Sequence, residues 1–253
     1  MLKEILLFVV GIVVGVMNSI AGGGMLLGFP VLLAAGLSPL VANITSNIVI
    51  LPGQLASAFG YHRYLRKLPP RYLILLVPCL VGGVAGALVL RHTSNARFQE
   101  LVPGLILFAV LLFTFQPILH LHLRRHISRR SRNMRTLLII AVALLPTAFY
   151  GGYFGAGFGF IMLAFLSFTK LHDIHQINGL KNLAGTAIAV VSIICLFSTH
   201  LIDWPHGLAM AVGNGIGGYT GARLSQRFSS HAIRIVVIAI GFAAAAYLAL
   251  HTY

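Results

Sequence analysis

Apolar residues fill runs of about 20 positions along the whole chain, with short polar turns between them. Regular alternation of polar and apolar positions is absent, so the pattern predicts membrane helices rather than a barrel. Ten helical segments follow from it. The first half has roughly 4–20, 25–36, 41–60, 71–91 and 98–119. The second half has roughly 136–154, 159–170, 176–198, 205–225 and 231–251. The second and seventh segments hold about 12 residues each and reach about 18 Å, short of a hydrocarbon core of about 30 Å. They read as short tilted helices or as half-helices of a re-entrant hairpin. The fold class is an all-α polytopic membrane protein with eight to ten membrane segments.

Composition agrees with this pattern. The 253 residues are 58% hydrophobic and 9% charged, with a mean hydropathy of +0.93. A soluble domain carries about a quarter charged residues. The first apolar run has only Lys3 and Glu4 before it and no Ala-x-Ala after it, so it reads as a first span rather than a signal peptide. Cys79 and Cys195 lie inside apolar runs and read as buried structural thiols.

The net charge of +14 changes the picture through its distribution. Loop 61–71 carries Arg63, Arg66, Lys67 and Arg71. Loop 120–135 carries Arg124, Arg125, Arg129, Arg130, Arg132 and Arg135. With ten crossings both loops are cytoplasmic, and Lys170, Lys181, Arg223, Arg227 and Arg234 lie on or near the same side. Only Lys3, Arg91 and Arg97 remain outside, which leaves 15 of the 18 basic residues inside. This bias replaces a nucleic-acid reading of the charge. Five segments per half make the two halves inverted repeats. The rival topology has eight spans and parallel halves, and it puts the basic loop 223–234 outside.

The repeat is visible in the residues. Adding 135 to Gly22, Gly24, Asn43 and Asn47 gives Gly157, Gly159, Asn178 and Asn182. The same offset takes Ser57 to Ser192 and Gly82, Gly83, Gly86 and Ala87 to Gly217, Gly218, Gly221 and Ala222. Residues 1–119 and 136–253 are then two transmembrane repeats, joined by a basic linker at 120–135. Interrupted helices from two such repeats place a substrate site near the membrane midplane.

Gly22, Gly23 and Gly24 in succession break a helix, and Gly155-Ala156-Gly157-Phe158-Gly159 breaks the second half. These glycines line a substrate site or form a purely structural hairpin. Gly11/Gly15, Gly82/Gly86 and Gly213/Gly217/Gly221 have the spacing of close helix packing. Asn43, Thr45, Ser46 and Asn47 open one span, and Asn178, Lys181 and Asn182 open its repeat. They serve as caps and interhelical bonds, or as an anion site that uses helix N-termini and neutral donors. Lys181, which stands where the other half has Ser46, either faces that site or extends to the cytoplasmic surface.

The acids Glu4, Glu100, Asp173 and Asp203 all lie at segment ends, which argues against a metal or sodium transporter. No Walker A sequence is present. His120, His122, His126, His172 and His175 lack recognised metal spacing and read as solvated loop residues. The chain therefore reads as a permease without catalytic residues, metal or cofactor. Its partners are the bilayer and a small anion, and a homo-oligomer is compatible with the sequence.

The ordered set Ala21-Gly22-Gly23-Gly24, Gly28-Phe29-Pro30, Ser38-Pro39-x-x-Ala42, Asn43–Asn47 and Gly82-Gly83-x-x-Gly86-Ala87 resembles the TauE/SafE family of membrane permeases. The second half repeats it as Gly155–Gly159, Asn178–Asn182 and Gly217-Gly218-x-x-Gly221-Ala222. The resemblance spans nearly the whole chain. It implies export of sulfite or a small organosulfonate across a bacterial inner membrane, with other small organic anions moved by some members. Two departures stand out: Phe158 where a middle glycine is usual, and Lys181 at a position usually small or hydroxylated.

Overall fold

A helix satisfies its own backbone polar groups, and long Leu-, Val- and Ala-rich runs without interior acids form one readily in an apolar surrounding. The structure, a computed structural model, describes residues 2–126, 134–169, 171 and 173–226, with side chains described outside 112–126 and 134–136. The described residues form helices and no strand. In order they are α1 (Leu2–Ile20), α2 (Met25–Ala34), α3 (Pro39–Gly60), α4 (His62–Leu65), α5 (Leu76–Arg91), α6 (Asn95–His126), α7 (Met134–Tyr153), α8 (Phe158–Leu166), α9 (Ile174–Leu196) and α10 (Trp204–Leu224). A 3-10 turn, Pro70–Leu75, leads into α5.

Among the described residues, four stretches are long and apolar enough to cross a membrane: Leu2–Ile20, Pro39–Gly60, Pro70–Arg91 and Ile174–Thr199. The two short segments come out at 10 residues for α2 and 9 for α8. The helix α6 overruns the expected linker boundary at 119 and continues to His126, and α7 begins at Met134. The expected last segment, 231–251, lies outside the described residues.

The spaced glycines set the packing. Gly11 and Gly15 of α1 abut Met210 and Asn214 of α10, so the two helices run in one direction. Gly82 and Gly86 of α5 abut Leu145 and Phe149 of α7 in the same manner. Gly53 of α3 meets Gly218 of α10, and Gly60 meets Ala222. Gly179 of α9 faces Tyr61, whereas Gly185 faces Gln54, so α3 and α9 run antiparallel. Where α1 meets α10, α5 meets α7 and Gly53 meets Gly218, the missing side chain lets two helix backbones approach closely, whereas Gly185 makes room for the Gln54 side chain.

Two buried apolar clusters result. One gathers Val14, Phe29, Val49, Phe98, Ile106 and Met210 around α1, α2, α3, α6 and α10. The other gathers Leu75, Leu144, Met162, Leu166, Leu180 and Ile188 around α5, α7, α8 and α9. Each cluster therefore mixes helices from both halves of the sequence.

The repeat offset is not uniform. The pairs α3/α9 and α5/α10 keep the offset of 135, since Pro39 and Pro70, where α3 and the turn into α5 begin, lead to positions 174 and 205, against helix starts at Ile174 and Trp204. The first helices keep 133. Gly82 and Gly86 meet Leu145 and Phe149, and their equivalents Gly217 and Gly221 meet Ile12 and Val16, with 145 − 12 and 149 − 16 both 133. The two-residue difference accrues between the break and the polar cluster. Residues 158–173 number 16, against 14 in 25–38.

Candidate functional site

The helix ends that open the two breaks share one backbone design. At the end of α1, Ala21 N and Gly22 N both donate to Met17 O, at 2.9 and 3.1 Å. At the end of α7, Phe154 N and Gly155 N both donate to Tyr150 O, at 2.9 and 3.1 Å. Gly22 has φ +93 and Gly155 φ +77, a region that glycine enters without a Cβ penalty. The structure thus pairs Gly22 with Gly155 and Gly24 with Gly157, which corrects the pairing of Gly22 with Gly157 and of Gly24 with Gly159. Ala156 fills the middle place, so Phe158 is no departure in the break; it is the first residue of α8.

The breaks meet each other. A Cβ on Gly22 would lie 2.7 Å from the Cα of Gly159. The ring of Phe160 covers Gly23. Gly24 donates its N–H to Asn18 Oδ1 at 2.8 Å, which fixes the turn from within.

Each polar cluster holds the carbonyl end of a broken helix from the other half. Lys181 Nζ donates to Asn18 O at 2.8 Å and to Ser19 O at 3.2 Å. Asn182 Nδ2 reaches Ser19 O at 3.4 Å. These carbonyls are the negative end of the α1 dipole. Lys181 is fully buried and does not extend to the surface. On the opposite pair, Asn43 Nδ2 donates to Tyr153 O, the last residue of α7, at 2.8 Å.

The remaining predicted residues are placed differently. Ser46 Oγ donates back to Ala42 O at 2.7 Å, and Asn47 Nδ2 sits 3.4 Å from both Asn43 O and Ile44 O. Thr45 Oγ1 accepts from Asp203 N at 3.0 Å and so braces the start of α10. Asn178 is buried, and its Oδ1 has no partner. One N–H at the start of each of these helices is taken up by a capping side chain. Asp173 caps α9 by accepting from His175 N at 2.8 Å, and Asn95 Oδ1 accepts from Leu40 N of α3 at 3.2 Å.

Asn18, Ser19, Tyr153 and Phe160 join the site without having been singled out in the sequence. Asn18-Ser19 carries a signal in hindsight: a polar pair in an apolar run, directly before a glycine triplet. A cleft of about 420 Å³ opens beside Tyr153, lined also by Leu88, His92, Thr93, Arg97 and Leu101. Arg97 is one of the three basic residues that the charge bias assigns to the outer side.

Sequence comparison matches the chain to known proteins. Residues 7–248 match the model of the family described as "Sulfite exporter TauE/SafE". The chain is 28% identical over 236 residues to the "Probable membrane transporter protein YfcA" of Escherichia coli (strain K12), covering 92% of this chain and 85% of the relative. It is also 28% identical over 240 residues to a "Probable membrane transporter protein" of Haemophilus influenzae, covering 94% and 91%. A similar protein from Sinorhizobium sp, "Probable membrane transporter protein ORF9", is 28% identical over 242 residues, covering 94% and 89%. No solved structure matches the chain. With a family model spanning nearly its whole length and relatives named as membrane transporters, the chain belongs to the TauE/SafE family of membrane transporters.

Proposed function

We propose that the protein is an inner-membrane permease that moves a small anion, sulfite or an organosulfonate, out of a bacterial cell. One observation carries the anion reading. Lys181 is fully buried, and its bonded partners are two neutral backbone carbonyls. A buried cation is costly without a counter-charge, and an intramembrane ionisable group marks a substrate path by default. An anion arriving between the two breaks supplies that counter-charge.

The geometry supports alternating access around this point. The breaks touch at Gly22 and Gly159, so their separation opens the centre. The antiparallel course of α3 and α9 supports an inverted relation of the repeats, and with it the ten-segment topology. The cleft with His92 and Arg97 is suited to serve as the outer mouth. Release of an anion from a negative interior is favoured by about 2.3 kcal/mol per charge per 100 mV, so export needs no coupling ion.

The test is thermal unfolding of the purified protein with sulfite, ethanesulfonate, thiosulfate or acetate, followed by efflux from proteoliposomes. Sulfite or the sulfonate should raise the midpoint of the wild-type protein and leave that of Lys181→Met unchanged. If no anion shifts the wild-type midpoint and none is moved, the reading fails.

A further inference from the structure

Two buried amides lie outside the breaks and the polar clusters. Gln54 on α3 is 2% exposed, and its Oε1 has no partner. Asn214 on α10 is 0% exposed, and neither its Oδ1 nor its Nδ2 has one. Each amide occupies space that a glycine leaves open. A Cβ on Gly185 would stand 2.8 Å from Gln54 Cδ and Nε2, and Asn214 Oδ1 lies directly against Gly53. Gly53 and Gln54 are neighbours on α3, so α3, α9 and α10 converge at one level.

This level lies between the two polar clusters. Gly185 follows Lys181 by four residues, about 6 Å along α9. Gln54 follows Asn43 by 11 residues, about 16 Å along α3. Because α3 and α9 are antiparallel, a ligand leaving Lys181 toward Asn43 passes Gln54 on the way.

Unmet amide groups in an apolar interior are costly, so a set of three at one level calls for an occupant. The chemistry of that occupant follows from the count. Asn214 offers one donor group and one acceptor, whichever way its amide is turned. Gln54 adds an acceptor. An oxyanion oxygen satisfies the Asn214 amide N–H, but a bare anion repels the two carbonyl oxygens. A hydroxyl or a protonated oxygen on the same ligand meets them.

We propose that Gln54 and Asn214 form a second, uncharged station on the transport path, fitted to a small oxyanion that carries its own hydrogen-bond donor. The proposal rests on the permease reading above. It separates from that reading in a proteoliposome efflux experiment with ethanesulfonate and 2-hydroxyethanesulfonate, which differ by one hydroxyl.

The wild-type protein should move the hydroxylated sulfonate about tenfold faster, the worth of one buried hydrogen bond to a ligand. Gln54→Met and Asn214→Leu should each remove most of that advantage. Both should keep or raise the thermal midpoint, because an apolar replacement removes an unmet polar group. Asn214→Ser replaces the leucine variant should that fail to fold, with the same loss expected. Equal efflux of the two sulfonates from the wild type, or a full advantage retained in both variants, overturns the station and leaves the permease reading intact. Wild-type vesicles that move neither sulfonate overturn the station, and the permease reading falls with it only if sulfite, thiosulfate and acetate are not moved either.

Discussion

The two junctions between broken helices and polar clusters share a plan and differ in charge. At one, Asn43 of α3 holds the end of α7 through a single hydrogen bond from its side-chain amide to Tyr153 O. At the other, Lys181 and Asn182 of α9 hold the end of α1 through three contacts to Asn18 O and Ser19 O. A neutral amide offers a hydrogen bond and little else. An ammonium group offers three donors and a full charge, and its carbonyl partners do not neutralise that charge. The same architecture therefore yields a tether in one half and a tether with unspent charge in the other. The charge of that junction comes from a single side chain, Lys181, at the position that Ser46 holds in the other half.

The largest effect that can break this comparison comes from Lys181→Met. Anion efflux should fall by about a hundredfold, and the thermal midpoint should drop, because two carbonyls lose a charged donor worth about 1.5–3 kcal/mol per bond. If efflux stays near wild type, the charge difference between the junctions has no functional meaning. Next come the two breaks. Gly22→Ala forces a Cβ into positive φ and into the Gly159 backbone, so it should cost about 3 kcal/mol by chemical unfolding. Gly155→Ala has the strained φ but more room, its nearest atom being Gly151 O at 3.2 Å, and should cost about 1–2 kcal/mol. Equal costs would mean that contact between the breaks carries no weight. Asn43→Ala leaves Tyr153 O unpaired and should cost about 1 kcal/mol in the same assay, with efflux still measurable. Gly36→Ala is the reference for strain alone. Gly36 has φ +103 with nothing within 4 Å, so the change should cost about 1 kcal/mol and leave efflux unaltered.

Much of this arrangement is legible in the residues, and what is not has a physical cause. Glycine triplets and short apolar segments announce the breaks because few other sequences interrupt a membrane helix so sharply. The spaced glycines foretell which helices pack closely, though not which partner each finds. The offset of 135 is exact for α3/α9, and it misaligns the breaks by two residues because the stretch 158–173 is two residues longer than 25–38. Gly157 and Gly159 look like partners of Gly22 and Gly24 by counting, whereas backbone hydrogen bonds decide for Gly155 and Gly157. The clusters at Asn43 and Asn178 are visible as polar residues in an apolar chain. Their direction is not, because hydroxyl and amide groups can bond back to their own helix, as Ser46 and Asn47 do. Gln54 and Asn214 escaped notice as single polar residues without a repeat partner: Ala189 and Cys79 stand at the equivalent positions.

The crossed packing of α1 on α10 and of α5 on α7 separates the order of the chain from the order of its mechanics. The packed bodies are α1 with α3 and α10, and α5 with α7 and α9, which meet along the line where α3 crosses α9. Each body draws helices from both sequence repeats. A cut in the linker near residue 130 would therefore yield two fragments that each hold part of both bodies. Neither fragment should be stable by itself, and the two made together should reassemble, because among the described residues the largest helix contacts, α1 and α3 on α10, α5 on α7, and α3 and α5 on α9, all lie between them.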